Sequence, residues 1–208
     1  MFQLSKKLFL SLSLLVFSVS FYGCGYNTLV EQSEKVNSAW GQVENQYQRR
    51  ADLIPNLVST VKGSADFEKS TLTEITDARS KVGSIQIKAE DLDDPEKFQK
   101  YQEAQDKLSS ALSRLLVVSE NYPQLRSNEN FQQLQSQLEG TENRIAVERK
   151  KFNDAVQEYN TTVKSFPSII GAKIFGYKEK SYFKSAPGTE KAPDVKFDFD
   201  KKKDSDKK

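Results

Sequence analysis

No histidine occurs in this 208-residue chain, so the commonest acid–base side chain and the commonest transition-metal ligand are both missing. Its one cysteine, Cys24, excludes an internal disulfide and a thiolate-bound metal cluster. Charge of one sign is also lacking. The 31 basic residues face 29 acidic ones, a formal +2, which leaves no global field to draw in nucleic acid. Structure breakers are scarce, with only Pro55, Pro95 and Pro123 between Thr28 and Phe166. What remains is 37% hydrophobic and 29% charged, a balance that suits one domain with a buried core and heavily solvated faces. No metal and no cofactor is expected. Catalysis by carboxylate, Lys, Tyr or Ser alone stays chemically open and is not favoured.

The N-terminus reads as a targeting segment. Lys6 and Lys7 precede an uncharged run from Leu8 to Tyr22. Its length is that of a signal-peptide core, short of the roughly 20 apolar residues of a spanning helix. The run ends at Phe21-Tyr22-Gly23-Cys24, where a small residue directly before a cysteine resembles a bacterial lipobox. Phe21 and Tyr22 stand where that motif carries Leu and a small residue. Under this reading Cys24 is the lipid attachment site and cleavage follows Gly23. Several acyl chains then anchor stably where one binds only marginally. An uncleaved, tilted anchor helix and a plain secretory signal are the alternatives. Residues 1–24 are therefore assigned as signal or anchor, 26–183 as the folded body, and 184–208 as a disordered tail of interleaved Lys and Asp.

Within the body, Leu29, Ser33, Val36, Trp40, Val43, Tyr47, Arg50, Ile54, Leu57 and Val61 are spaced alternately four and three, one face of a helix in a bundle. Pro55 falls inside this stripe and predicts a kink. Gly63-Ser64 predicts a break, followed by a shorter helix with Phe67, Leu72, Ile75, Ala78 and Val82 inward. An unbroken helix from 28 to 83, its far end paired with another subunit, is the alternative. Residues 84 to 94 read as a polar connection. Asp94 with Pro95 reads as an N-cap and first helical residue, opening a helix with Tyr101, Leu108, Leu115 and Tyr122 inward. Pro123 ends it. Asn128 caps the last helix, with Phe131, Leu138, Ile145, Phe152, Tyr159 and Phe166 inward, and Pro167 stops it. The first and last helices come to ~50–58 Å each and can pair antiparallel. The expected fold is all-α, an antiparallel up-and-down four-helix bundle with long first and last helices. Ser168 to Phe183 reads as an apolar strap closing one end.

Tyr26-Asn27-Thr28-Leu29-Val30, Ala39-Trp40 and Arg49-Arg50-Ala51-Asp52-Leu53-Ile54-Pro55-Asn56-Leu57-Val58 resemble the N-terminal signature of the LemA family. Ala78-Arg79, Glu120-Asn121-Tyr122-Pro123, Thr141-Glu142-Asn143-Arg144-Ile145, Tyr159-Asn160, Phe166-Pro167 and Tyr182-Phe183 follow in the family's order. The resemblance implies a bacterial four-helix bundle behind one N-terminal membrane segment, and supplies no reaction or catalytic residues.

Polar residues that interrupt the stripes are the most informative positions. Pairing residue 62 with 128 sets Arg50 opposite about 140 and Glu148 opposite about 42. Arg50, Asp77, Glu142 and Glu148 are therefore candidates for ion pairs that fix helix register. Arg49, Arg50, Asp52 and Asn56, bunched at the proline, are candidates for a polar interaction notch. No nucleophile motif or phosphate loop accompanies Asp52 or Glu148. The functional expectation is a membrane-anchored, extracytoplasmic scaffold or protein-interaction module of the bacterial envelope. The alternative is a lipid- or cell-wall-contacting structural protein using the strap. An envelope protein of unknown identity is the expected partner; nucleic acid is not.

Overall fold

The computed structural model describes residues 2–63 and 68–185, with side chains described from Tyr26 onward. The Cys24 side chain, Ser64, Phe67 and tail residues 186–208 lie outside the described residues. Among those described there is no strand. The described residues are all-helical, with six α-helices: α1 (Phe2–Lys62), α2 (Lys69–Ser84), α3 (Pro95–Ser119), α4 (Pro123–Arg126), α5 (Glu129–Lys164) and α6 (Ser168–Phe175). A 3₁₀ turn, Ala89–Asp93, precedes α3. No described helix is long and apolar enough to cross a membrane.

Helix ends follow the capping chemistry of the sequence. Asp94 Oδ1 accepts from the backbone N–H groups of Glu96 and Lys97, both at 3.1 Å, satisfying two donors that the first turn of α3 leaves unpaired. Asn128 does the same for Phe131 at 3.1 Å. Helix α1 stops at Lys62 with Gly63 in a turn, so the stretch from 28 to 83 is broken at the glycine. Towards the N-terminus α1 continues without interruption to Phe2. Its 61 residues correspond to ~90 Å at 1.5 Å per residue. Helix α1 also runs through Pro55. A proline has no N–H, so the carbonyl four residues earlier, on Ala51, loses its helical partner. Arg79 of α2 supplies one, with Nε donating to Ala51 O at 3.3 Å.

Helices α1 and α5 run antiparallel. Lys35 meets Glu158 at 2.5 Å, Tyr47 meets Arg149 at 2.7 Å and Arg50 meets Glu142 at 2.7 Å. Arg50 thus lies opposite residue 142, two residues from the position the helix ends predict. Helix α3 follows α1 in the same direction, through Trp40–Phe98, Tyr47–Tyr101 and Arg50–Ser109. Helix α2 joins α3 through Glu74–Arg114 at 2.8 Å.

The core has two parts. One is aromatic, built on Trp40, Phe98, Phe152 and Phe183. The other is mainly aliphatic, built on Ile54, Leu57, Ile75, Leu108, Leu115 and Leu138. Three readings of the sequence change here. Phe166, placed inward by the heptad pattern, is 81% exposed, because α5 ends at Lys164 and Val163 takes the last buried position. The connection at 84–94 is not wholly polar, since Ile87 and Leu92 enter the aromatic core. The strap is more than an end closure. It forms α6, turns at Gly176 in the left-handed region (φ 75°) with Tyr177 N–H donating to Ala172 O, then runs back along the bundle to bury Phe183.

Candidate functional site

The two halves of the core are separated by a polar layer centred on Arg50, which has no exposed surface. A buried guanidinium is costly unless its donors are met, and here α3 and α5 supply partners to both Nη atoms, while Nε has none among the described residues. Nη1 donates to Glu142 Oε1 at 2.7 Å and to Ser109 Oγ at 2.5 Å. Nη2 donates to Gln105 Oε1 and lies 3.5 Å from the Gln105 carbonyl. Ser109 in turn donates to Glu142 Oε2 at 3.1 Å. Gln105 and Ser109 are four apart, one turn of α3, so both reach the same guanidinium. One turn toward the aromatic half, Tyr47 lies under Arg50 at 5.2 Å and accepts from Arg149 Nε at 2.7 Å. Arg149 also pairs with Asp106 at 2.8 Å and lies over Phe183 at 4.8 Å.

Of the residues proposed for ion pairing, Arg50 and Glu142 meet. Asp77 is exposed on α2. Glu148 pairs with Lys151 on its own helix at 2.8 Å. The notch is not assembled as the sequence suggests, because Arg50 faces the core while Arg49, Asp52 and Asn56 are exposed. A helix turns about 100° per residue, which carries neighbours 49 and 50 to different faces. The residues at 49, 52 and 56 share the outer face, where Gln48 donates to Asp52 at 2.7 Å.

A cleft of about 560 Å³ opens over the polar layer, between α1, the end of α2, the 85–88 connection and α3. Glu44, Gln48, Arg79 and Lys88 line it, with Tyr47, Tyr101 and Gln105 towards the core. Burial raises the phenols of Tyr47 and Tyr101 above their ordinary value, so neither serves as a base near neutrality. Among the described residues no group of acidic or thiol side chains could hold a metal ion.

Burial also pushes Tyr159 up to about 12, with Tyr177 and Asp93 adding to the effect. A pKa raised in the folded state gives stability that is complete below the unfolded value and lost as pH rises through the folded one. The urea midpoint is therefore expected to fall progressively between pH ~10, the unperturbed phenol value, and about 12. A midpoint that stays level across that window would contradict the burial of these phenols.

The returning strap is held by side-chain amides. Asn160 donates to Lys180 O and accepts from Lys180 N–H, both at 2.8 Å. Asn153 does the same for Phe183 at 3.0 and 2.9 Å, and Gln102 for Lys184 at 2.6 and 3.1 Å. Geometry explains the spacing. Seven residues of helix rise ~10.5 Å and three of extended chain about as much, so Asn153 and Asn160 face Phe183 and Lys180. Changing Asn160 to Asp keeps the shape but removes the donor, and is expected to cost about 1–3 kcal/mol. The strap amides should then exchange with solvent faster than those of α3. Equal protection in variant and parent would remove the clamp from the account.

Sequence reasoning missed Gln102, Gln105, Ser109, Asn153 and Arg149. The signal was there in part, since Asn153 and Asn160 keep a heptad spacing one residue after the stripe residues Phe152 and Tyr159.

Comparison with known proteins places this architecture. The LemA family profile matches residues 39–197. Magnetosome protein MamQ 2 of Paramagnetospirillum magneticum is 30% identical over 178 residues, 78% of this chain and 65% of that protein. Magnetosome protein MamQ of Magnetospirillum gryphiswaldense is 28% identical over the same shares. Protein LemA of Metamycoplasma hominis is 23% identical over 140 residues, 67% of this chain and 60% of that protein. The chain thus spans slightly less than two thirds of the length of the curated relatives it matches. With the match running from the residue before Trp40 to beyond the clamped strap, the chain belongs to the LemA family.

Proposed function

We propose that this chain is a bacterial, membrane-anchored, extracytoplasmic scaffold or protein-interaction module, not an enzyme, with α1, α2, α3 and α5 as an up-and-down four-helix bundle. One observation carries the reading. Helix α1 is a single helix from Phe2 to Lys62, so the apolar N-terminal run and the bundle share one rod. Kept whole, such a rod fixes the bundle against the bilayer and presents its flanks outward; cut after Gly23, it would carry its lipid at the same end of α1. The polar groups of the core support the non-catalytic part, because Arg50, Glu142, Asp106 and Arg149 are committed to each other and to the helices around them. The outer face of α1 at Arg49, Asp52 and Asn56, beside the cleft, is the surface offered to an envelope protein.

Crosslinking in intact cells is the test, with a photoreactive residue placed at Asn56. A reproducible protein adduct, from a protein found in the membrane fraction, is expected. Adducts with lipid or glycan alone would replace this reading by a lipid- or wall-contacting structural role. For the lipobox form of the anchor, Cys24→Ala should abolish both processing and fatty-acid labelling.

A further inference from the structure

We propose that the outward face of α6 is a second membrane contact, lying in the interfacial layer of the bilayer that holds the N-terminal anchor. The proposal rests on the membrane-anchored reading and deepens it. Five of the eight large apolar side chains exposed among the described residues are Tyr26, Phe166, Ile170, Ile174 and Phe175. Ile174 is 69% exposed and Phe175 59%. A helix on a water-facing surface turns its polar side outward, and α6 does the reverse. Ala172 is buried in the aromatic half of the core, while Ile170 and Ile174, four apart, point away from it. Lys173 is the one charge within the helix. An apolar face carrying lysine is the composition of a helix that lies in a headgroup layer.

The position of the patch selects the bilayer as its occupant. The Tyr26 ring lies 4.7 Å from Phe175 and 6.3 Å from Tyr177. Tyr26 is four residues, ~6 Å of helix rise, beyond Tyr22, where the uncharged run ends. A lipid on Cys24 would stand two residues before Tyr26, and an uncleaved anchor helix would leave the bilayer within one turn of it. Either chemistry brings the α6 face to the membrane edge, where aromatic rings are favoured. The charges around it fit as well. Lys164 and Lys178 are balanced by Glu179 and Asp93, leaving Lys173 to face anionic headgroups.

The test uses the full chain in vesicles of phosphatidylethanolamine and phosphatidylglycerol with brominated acyl chains. Trp40 is a background common to all variants. Phe175→Trp is expected to be quenched several-fold more strongly than Val117→Trp, an exposed position near the far end of α3. Adding Ile170→Asp and Ile174→Asp, both at exposed sites, should remove most of that quenching while the protein still floats with the vesicles. An unquenched Phe175→Trp in protein that floats overturns the second contact and leaves the anchor standing. Blue-shifted but unquenched emission overturns it too, and points to a second copy covering the patch. Protein that fails to float overturns the anchored reading and this proposal together.

Discussion

Replacing Arg50 by methionine is expected to destabilise the protein by about 3–5 kcal/mol, read from urea unfolding. The side chain is fully buried and its removal strands the hydrogen-bonding groups of Gln105, Ser109 and Glu142 at once. Methionine fills much of the same volume, so the loss reports lost polar partners more than a cavity. Glu142→Leu alone should also destabilise strongly, because it leaves a buried cation short of its counter-charge. The two changes together should be less damaging than their sum, since each single change already removes the contact between the buried Arg50 and the half-buried Glu142. Additive losses would mean that the two side chains act independently, against the 2.7 Å contact.

The second large effect belongs to Trp40. Its ring meets Phe152 at 5.6 Å, Tyr101 at 5.8 Å, Phe98 at 5.9 Å and Phe183 at 6.1 Å, contributions from α1, α3, α5 and the strap. Trp40→Ala empties the centre of that cluster and is expected to cost about 3–5 kcal/mol. Near-ultraviolet circular dichroism should weaken beyond the loss of one chromophore, because the remaining rings lose their fixed neighbours. Phe166→Ala, at an 81% exposed site, should stay within about 0.5 kcal/mol of the parent. A Trp40 variant as stable as the Phe166 one would show that this half of the core is not packed as described.

How far the sequence could be read differed between the core and the polar site. The heptad stripe on α1 predicts the buried set from Leu29 to Val61, and Arg50 falls on it because burial follows helix angle and not polarity. Asp94 and Asn128 predict their own helix starts, since a cap is satisfied within three residues. Of the contacts that need two or more helices in register, Arg50–Glu142 was legible from the helix ends to within two residues, and the others were not. Gln105 and Ser109 look like ordinary polar residues on α3 until α1 brings a guanidinium to them. Leu92 and Ile87 lie in a stretch too short to show any period, so their burial depends on where the strap and α3 run. Phe166 is the reverse case. The period continued one step beyond the helix that carried it.

The amide clamp on the strap has a consequence for how this segment can vary. Asn153, Asn160 and Gln102 grip main-chain atoms of Phe183, Lys180 and Lys184, and any residue with an N–H offers the same pair of groups. The exposed side chain at 184 is therefore free to drift, with proline alone barred because it lacks the donor, whereas Lys180 also reaches Asn37 at 3.4 Å and lies over the Tyr159 ring. Phe183, held by both its backbone and its ring, is the buried residue that ties the strap to a particular sequence. The segment behaves as a ribbon pinned along its main chain and by one aromatic stud, so a relative could change the exposed positions 178, 179 and 184 and keep the same fold.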